Sequence, residues 1–137
     1  NEIHSVLLVT RTSSGASFAP QFVLSIPVKL SKVADGDIVT DFIPGIAGTI
    51  KKVSFVVTDP ATTAAKAATL NLEIGTTNLT GGVISLTSAN CTPLGAVVDG
   101  TAITAGNTFT SSDSISVEAS SVTAFQEGEG VLLVVIQ

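Results

Sequence analysis

The chain has 137 residues and a formal net charge of −5, with hydrophobic residues at 45%, charged residues at 12%, and no Trp, Tyr or Met. This length suits one domain with its own hydrophobic core, without help from a metal or a disulfide. The 6 Lys and Arg residues are scattered, and no apolar run approaches the roughly 18 residues that cross a bilayer, so neither nucleic acid nor a membrane is expected as a partner.

Short segments with an apolar residue at every second position recur along the chain, separated by Gly, Pro, Asp or Asn. This period predicts strands with one buried face, and many such strands are typical of a sandwich or barrel. We therefore predict an all-β protein, an antiparallel β-sandwich or jelly-roll-like domain over residues 22–137 with an N-terminal extension. The predicted strands are 3–10, 22–31, 37–43, 49–58, 69–75, 83–87, 96–104, 114–119 and 131–137.

The first part of the chain differs from the rest. Its predicted strand is followed by RTSSGASFAPQ, residues 11–21, which has no hydrophobic period and predicts a linker. Residues 1–21 are therefore predicted to form an arm that contacts a neighbouring subunit or a larger assembly. The apolar anchors of this arm would be Ile3, Val6, Leu8 and Phe18.

The second predicted strand carries Pro27 on its polar side, between the apolar Ile26 and Val28. Proline has no N–H group to donate to a neighbouring strand. We therefore expect this strand to lie at the edge of a sheet or to contain a break.

Three acidic residues follow in ADGDIVTD: Asp35, Asp37 and Asp41. Their spacing lacks the order of an EF-hand loop, which needs a Gly at position 6 and a Glu at position 12. The Asp35–Gly36 pair favours a hairpin turn, with Asp37 and Asp41 on the following strand. We predict no metal site, with an irregular calcium cage of these oxygens as the alternative.

The segment PATTAAKAA, residues 60–68, allows two interpretations. Its four alanines after Pro60 favour a helix, because proline suits the first helical position and alanine has the highest helix propensity. The alternative is a loop that crosses one end of a sheet.

Reactive side chains are few. His4 is the only His and Cys91 the only Cys, which are too few ligands for a structural zinc site. No G-x-S-x-G motif accompanies His4, and no thiolate-stabilising neighbour accompanies Cys91. We predict that His4 is a terminal polar residue and Cys91 a small buried hydrophobe. The glycosylation patterns at Asn78 and Asn90 are expected by chance in a chain this rich in Thr.

Paired carboxylates could in principle cleave a glycosidic bond, and the candidates are Glu73, Glu118, Glu127 and Glu129. The absence of Trp and Tyr, which stack on sugar rings, makes both a glycosidase and an ordinary lectin less favoured. We predict that the protein has no catalytic residue and no cofactor, and is not an enzyme.

Two predicted strands are apolar on both faces: SVLLV at 5–9 and VLLVVI at 131–136. A strand with water on one side should alternate instead. Each is therefore either a central strand covered on both faces or a strand whose outer side meets another subunit, since a bare apolar strand promotes aggregation. Leu133 and Val135 are the predicted interface residues in the last strand.

Four stretches resemble a family of small β-rich structural proteins from tailed bacteriophages, some of which are capsid decoration or cement proteins. They are IPVKLSKVADGDIVTDFIPGIAGTIKKVSFVV, TTAAKAATLNLEIGTTNLTGG, SANCTPLG and ISVEASSVTAFQEGEG. The resemblance covers residues 26–137. Residues 1–25 lie outside the resemblance. The family pattern contains no catalytic residue to transfer.

The resemblance implies a virion protein on the capsid exterior that binds the major capsid protein and stabilises the shell. It also implies a homotrimer at local three-fold positions, because related cement proteins commonly trimerise. The alternative is a tail or surface adhesin that binds a host glycan or protein.

Overall fold

The computed structural model describes the backbone of residues 4–11 and 18–137, and the side chains from Gln21 onward. Of the predicted anchors of the arm, Ile3 lies outside the described residues, as do the side chains of Val6, Leu8 and Phe18. Whether the arm contacts a neighbouring subunit stays a prediction.

Nearly all of the regular structure in the described residues is β-strand. A 3-10 turn spans Leu30–Lys32 and one short helix, α1, spans Ser88–Cys91. The strands are β1 (His4–Arg11), β2 (Phe18–Lys29), β3 (Gly36–Phe42), β4 (Gly48–Asp59), β5 (Ala67–Ile74), β6 (Thr77–Asn78), β7 (Ile84–Thr87), β8 (Val97–Asp99), β9 (Thr108–Phe109), β10 (Ile115–Thr123) and β11 (Glu129–Ile136).

The strands form two antiparallel sheets that pack against each other. The first sheet has the order β1-β2-β11-β4-β8, and β9 also pairs with β4. The second has the order β3-β10-β5-β6, and β7 also pairs with β5. The predicted all-β fold is confirmed, and its architecture is a β-sandwich.

The core lies between the sheets and is built by the alternation that the sequence shows. In β11 the inward residues Leu132, Val134 and Ile136 are buried. They face the inward residues of the second sheet, including Leu70 and Val117. Aliphatic burial of this kind stabilises the fold by about 25 cal/mol per Å² of apolar surface removed from water.

The first sheet places β2 between β1 and β11, so β2 is not an edge strand along its whole length. The described pairing with β1 runs from Phe18 to Ser25, however, and Pro27 lies beyond it. Pro27 still pairs with Val131 of β11. Among the described residues, β2 therefore has a neighbouring strand on one side only over its last four residues, and Pro27 lies there. Because β2 begins at Phe18, the predicted linker is also shorter than 11–21.

The predicted hairpin turn at Asp35–Gly36 is wrong. Asp37 and Asp41 do lie on the following strand, β3, but β2 and β3 belong to different sheets. The 3-10 turn carries the chain between the sheets, with Leu30 buried and its N–H donating to the carbonyl of Gly128 at 2.9 Å. The turn is a crossover because burial of Leu30 directs the chain to the other layer.

The helix considered for residues 60–68 is also wrong, and the loop interpretation is confirmed. β5 begins at Ala67, and Ala65 has a positive φ of 63°, which a right-handed helix does not allow. The carboxylate of Glu127 accepts hydrogen bonds from the hydroxyl of Thr62 at 3.1 Å, and from the backbone N–H and the hydroxyl of Thr63. These contacts satisfy donors of the loop that a helix would otherwise use.

The predicted strand at 96–104 is shorter in the structure, where β8 ends at Asp99. The N–H of Gly100 still donates to the carbonyl of Val53 in β4, at 2.8 Å. The N–H of Thr101 donates instead to the carbonyl of Val83, just before β7 in the second sheet, at 3.0 Å. The chain therefore leaves one sheet for the other at Gly100.

A glycine in β11, Gly130, lets the buried ring of Phe55 lie close to the backbone of that strand. Gly130 faces inward in β11, and a Cβ atom there would overlap the ring of Phe55 and lie 2.6 Å from the carbonyl oxygen of Val56. Phe55 is fully buried. The absence of a side chain at Gly130 is therefore what lets the Phe55 ring lie against the backbone of β11.

We predict that Gly130→Ala lowers the free energy of unfolding by about 1–3 kcal/mol, since overpacking forces the ring or the strand to move. Urea denaturation measures it. In a Phe55→Leu background the same substitution should cost less, because the overlapping ring atoms are gone. Equal costs in both backgrounds would show that the ring is not the obstacle.

The hydrogen bonds of Glu127 lead to a prediction about how the stability of the fold depends on pH. Its hydrogen bonds to the side chain and backbone of Thr63 lower the pKa of the Glu127 carboxyl below its ordinary value. A carboxyl whose pKa is lowered by folding stabilises the fold above the ordinary glutamate pKa of about 4.3, and this contribution is lost as pH falls through the folded-state value. Glu127→Gln should therefore destabilise the protein at pH 7 and have a smaller effect near pH 3. Denaturation at the two pH values tests this, and an equal loss at both would contradict it.

Candidate functional site: acidic cluster and outer sheet face

Three carboxylates meet on the outward side of the second sheet, and we call them the acidic cluster: Asp37, Glu73 and Glu118. They lie on the adjacent strands β3, β5 and β10, with Glu118 opposite Asp37 and with Ser116 of β10 opposite Glu73. One carboxylate oxygen from each lies within 4.8 Å of the others. Like charges this close on neighbouring strands repel one another.

Asp41 lies near the cluster and shapes the edge of the sheet beside it. Its N–H donates to the hydroxyl of Ser116 at 3.1 Å, and its carboxylate accepts from the hydroxyl of Ser114 at 3.4 Å. Asp41 has a positive φ of 50°, and the pairing of β3 with β10 contains register shifts. Such irregularities, with the acidic residues themselves, discourage this edge strand from pairing with another protein.

Glu73 is the member of the cluster whose pKa the fold raises. Partial burial raises the pKa of Glu73 above its ordinary value, and the negative charges of Glu118, Asp37 and Asp41 raise it further. Three carboxylate oxygens this close together could bind a cation between them.

Four glutamates were candidates for the carboxylate pair of a glycosidase. Glu73 and Glu118 are neighbours in the structure, whereas Glu127 and Glu129 lie elsewhere. Glu127 holds the loop before β5, and Glu129 opens β11 in the other sheet. Asp37 also lines a depression of about 290 Å³ beside the 3-10 turn, which Glu73 and Glu118 do not line. The cluster thus lies on a sheet face, and of its three members only Asp37 reaches this depression.

The other sequence candidates are structural where they are described. Cys91 is fully buried and unpaired, as predicted, and burial raises the pKa of its thiol. The side-chain carbonyl of Asn90 accepts from the N–H of Thr87 at 2.8 Å, and its amide donates to the carbonyl of Ser85 at 2.9 Å. Asn90 therefore completes a capping box with Thr87, the N-cap residue of α1, and its amide nitrogen donates one hydrogen bond within the fold. Asn78 is exposed in β6, and the side chain of His4 lies outside the described part.

The second surface of interest is the outward side of the first sheet, which we call the outer face. Three of its apolar residues come from β11: Val131, Leu133 and Val135, all half-buried. The predicted interface residues Leu133 and Val135 are thus directed away from the core. The remaining members on the neighbouring strands are Val23, Ser25 and Pro27 of β2, Ser54 and Val56 of β4, and Val97 of β8.

The register arranges the outer face in rows across the sheet. Pro27, Val131, Val56 and Val97 form one row, which is entirely apolar. Ser25, Leu133 and Ser54 form the next row, which ends at Asp99 of β8. Val97 is 59% exposed at the end of its row, so the apolar surface continues to the edge of the sheet. The middle of the outer face carries no charged residue.

Comparisons with family models, with curated proteins and with solved structures found nothing that matches this chain. The bacteriophage resemblance therefore stays a prediction. In the described part of the chain, no helix has the length and hydropathy needed to cross a membrane.

We predict that Glu73→Gln raises the free energy of unfolding at pH 7. A carboxyl whose pKa is raised by folding destabilises the fold when ionised, so its removal helps above the folded-state pKa, and the gain disappears once low pH protonates the carboxyl in both states. Denaturation at pH 7 and pH 3 measures it, with Glu127→Gln as the contrasting variant because its effect has the opposite sign. Loss of stability in Glu73→Gln at neutral pH would contradict the prediction.

Proposed function

We propose that this protein is a structural component of a tailed-bacteriophage virion, which binds the major capsid protein on the outside of the shell and stabilises it. The observation that carries the proposal is the outer face, an apolar sheet surface with no charge at its centre in a chain that has few charges. Apolar surface of this extent marks an interaction site. The sequence resemblance to phage decoration proteins is the reason for proposing a phage capsid as the binding partner.

Stabilisation of a shell follows from mass action. A protein that binds the assembled shell but not its separated subunits lowers the free energy of the assembled state. Expansion or rupture must then break the added contacts first. This function requires binding surfaces rather than catalytic residues, in accord with the few reactive side chains in the sequence.

The alternative proposal is a tail or surface adhesin. The acidic cluster favours it, because carboxylates accept hydrogen bonds from sugar hydroxyls and bind the cations that bridge to glycans. The lack of Trp and Tyr weighs against it, since these residues are the usual stacking platforms for sugar rings.

The location of the chain in the virion tests both proposals. In a cryo-electron microscopy map of the phage, we expect density for this fold on the capsid exterior. Density at the tail tip would support the adhesin, and density inside the shell would contradict both proposals.

Binding to shells that lack the protein provides a second measurement. We expect co-sedimentation to change little between 0.15 M and 1 M salt, because apolar contacts are not screened, whereas charge attraction is screened within about 3 Å at 1 M. The matched variant is the chain from Phe18 onward, which removes residues 1–17 of the predicted arm but keeps β2 whole. Unchanged occupancy in this variant would show that residues 1–17 are not a shell contact.

A further inference from the structure

The edges of the two sheets differ in how well they are protected against pairing with another chain. Edge strands that must stay unpaired are short, charged, irregular or interrupted by proline. In the described part of the chain, the edge strands β6, β7, β8 and β9 have two to four residues each. The edge strand β3 carries Asp37 and Asp41 and pairs irregularly with β10. The remaining edge strand is β1, at one end of the first sheet.

The strand next to it, β2, has a described neighbour on one side only at each of its ends. Its pairing with β11 reaches no further than Phe22, although β2 begins at Phe18. Its pairing with β1 reaches no further than Ser25, although β2 ends at Lys29. Each end therefore has one side on which no described strand pairs with it.

A proline occupies each of these two unpaired sides. The N–H of Leu30 donates to the carbonyl of Gly128, in register with the pairing of β2 and β11. Because the two sides of an antiparallel strand alternate, the backbone groups of even-numbered residues of β2 face β11 and those of odd-numbered residues face β1. Pro20 therefore lacks its N–H group on the side of β11, and Pro27 lacks it on the side of β1. Both prolines prevent a full ladder from forming where β2 is unpaired.

The edge of β1 has none of these protective features. Its eight residues contain no proline, and the only one that is charged at pH 7 is the last, Arg11. Since odd-numbered residues of β2 face β1, the register makes the even-numbered residues of β1 face β2. The backbone groups of the other residues face away from the sheet, and no described strand pairs with them. These outward residues are Ser5, Leu7, Val9 and Arg11.

We propose that β1 pairs with β1 of a second copy of this chain, so that the two first sheets become one continuous sheet. Identical edges pair antiparallel about a two-fold axis perpendicular to the sheet. Hydrogen bonds form only between outward residues, so an odd-numbered residue must lie opposite an odd-numbered one. An axis beside Leu8 meets this condition and places Leu7 opposite Val9. It also places Ser5 opposite Arg11, so every outward residue takes part and about eight hydrogen bonds form.

Charge favours a second copy as the occupant of this edge. The chain has a net charge of −5, so two copies repel each other over much of their surface. Residues 4–10 carry no charge at pH 7. The register also keeps the two Arg11 residues at opposite ends of the paired strands, about 20 Å apart. One contact therefore covers the unprotected edge of both copies and brings no like charges together.

This dimer leaves the outer face free. Because the two-fold axis is perpendicular to the continuous sheet, the outer faces of both copies lie on the same side of it. The proposed shell contact is then presented twice, and two linked faces bind a repetitive surface more tightly than one does. A homotrimer, expected from the sequence resemblance, cannot use this contact, because three-fold contacts join two different patches.

The mass of the isolated protein tests the dimer, by light scattering and sedimentation at micromolar to millimolar concentrations. We expect twice the chain mass of 13.8 kDa at the higher concentrations. Leu7→Pro should weaken dimerisation by roughly tenfold or more, because it removes one outward N–H group from each copy and leaves the N–H groups that face β2 intact. A wild-type protein that is a monomer or a trimer throughout this range would overturn the proposal.

The matched control is Val97→Pro, in β8 at the opposite edge of the same sheet. The N–H of Val57 donates to the carbonyl of Ala96, and the N–H of Gly100 donates to the carbonyl of Val53. By the same alternation, the N–H of Val97 faces away from β4. The control therefore also removes an outward N–H group, and its dimer should persist. A dimer that is lost in the control but kept in the β1 variant would overturn the proposal.

Amide hydrogen exchange locates the contact without any variant. In the dimer the N–H groups of Ser5, Leu7 and Val9 donate to the second copy, whereas those of Val6 and Leu8 donate to β2. On dilution we expect the first set to lose protection and the second set to keep it, since only bonds between copies depend on concentration. Protection of the first set that stays unchanged while the dimer dissociates would overturn the proposal. These measurements need no shell, so their outcome is independent of the proposed shell contact.

Discussion

Burial of one side of β11 is the constraint from which the rest of the structure follows. Leu132, Val134 and Ile136 fill the space between the sheets, and β11 is flanked by β2 and β4. Because side chains alternate along a strand, this burial forces Val131, Leu133 and Val135 to the other side. A strand that is apolar at every position therefore builds the core and leaves an apolar outer face.

The two sheets present different outward surfaces, and this asymmetry matters for any assembly. The second sheet carries the acidic cluster, where the charges of Glu118, Asp37 and Asp41 raise the pKa of Glu73. The centre of the first sheet is uncharged. Copies of a chain with a net charge of −5 repel one another least through the uncharged sheet, so charge and hydrophobicity favour the same contact surface.

The loops between the sheets are held by polar contacts that are distant in sequence. Glu127 binds the backbone and hydroxyl of Thr63, 64 positions away, and thereby holds the segment between β4 and β5. The hydroxyl of Thr92 donates to the carbonyl of Ala61 at 2.7 Å, which connects α1 to the same segment. These contacts favour a loop over a helix in this alanine-rich segment, because several of its donors and acceptors pair with residues outside the segment.

The all-β class, most strand positions, the burial of Cys91 and the outward position of Leu133 and Val135 could be predicted from the sequence, because alternation within one strand is a local property. Only the tertiary structure decided which strands are neighbours. The predicted carboxylate set was Glu73, Glu118, Glu127 and Glu129, yet Glu73 and Glu118 meet Asp37 instead, because β3, β10 and β5 are adjacent in the second sheet. The position of Pro27 beyond the described pairing with β1 likewise depends on register. Register is set by contacts between distant segments, and no period within a single strand encodes it.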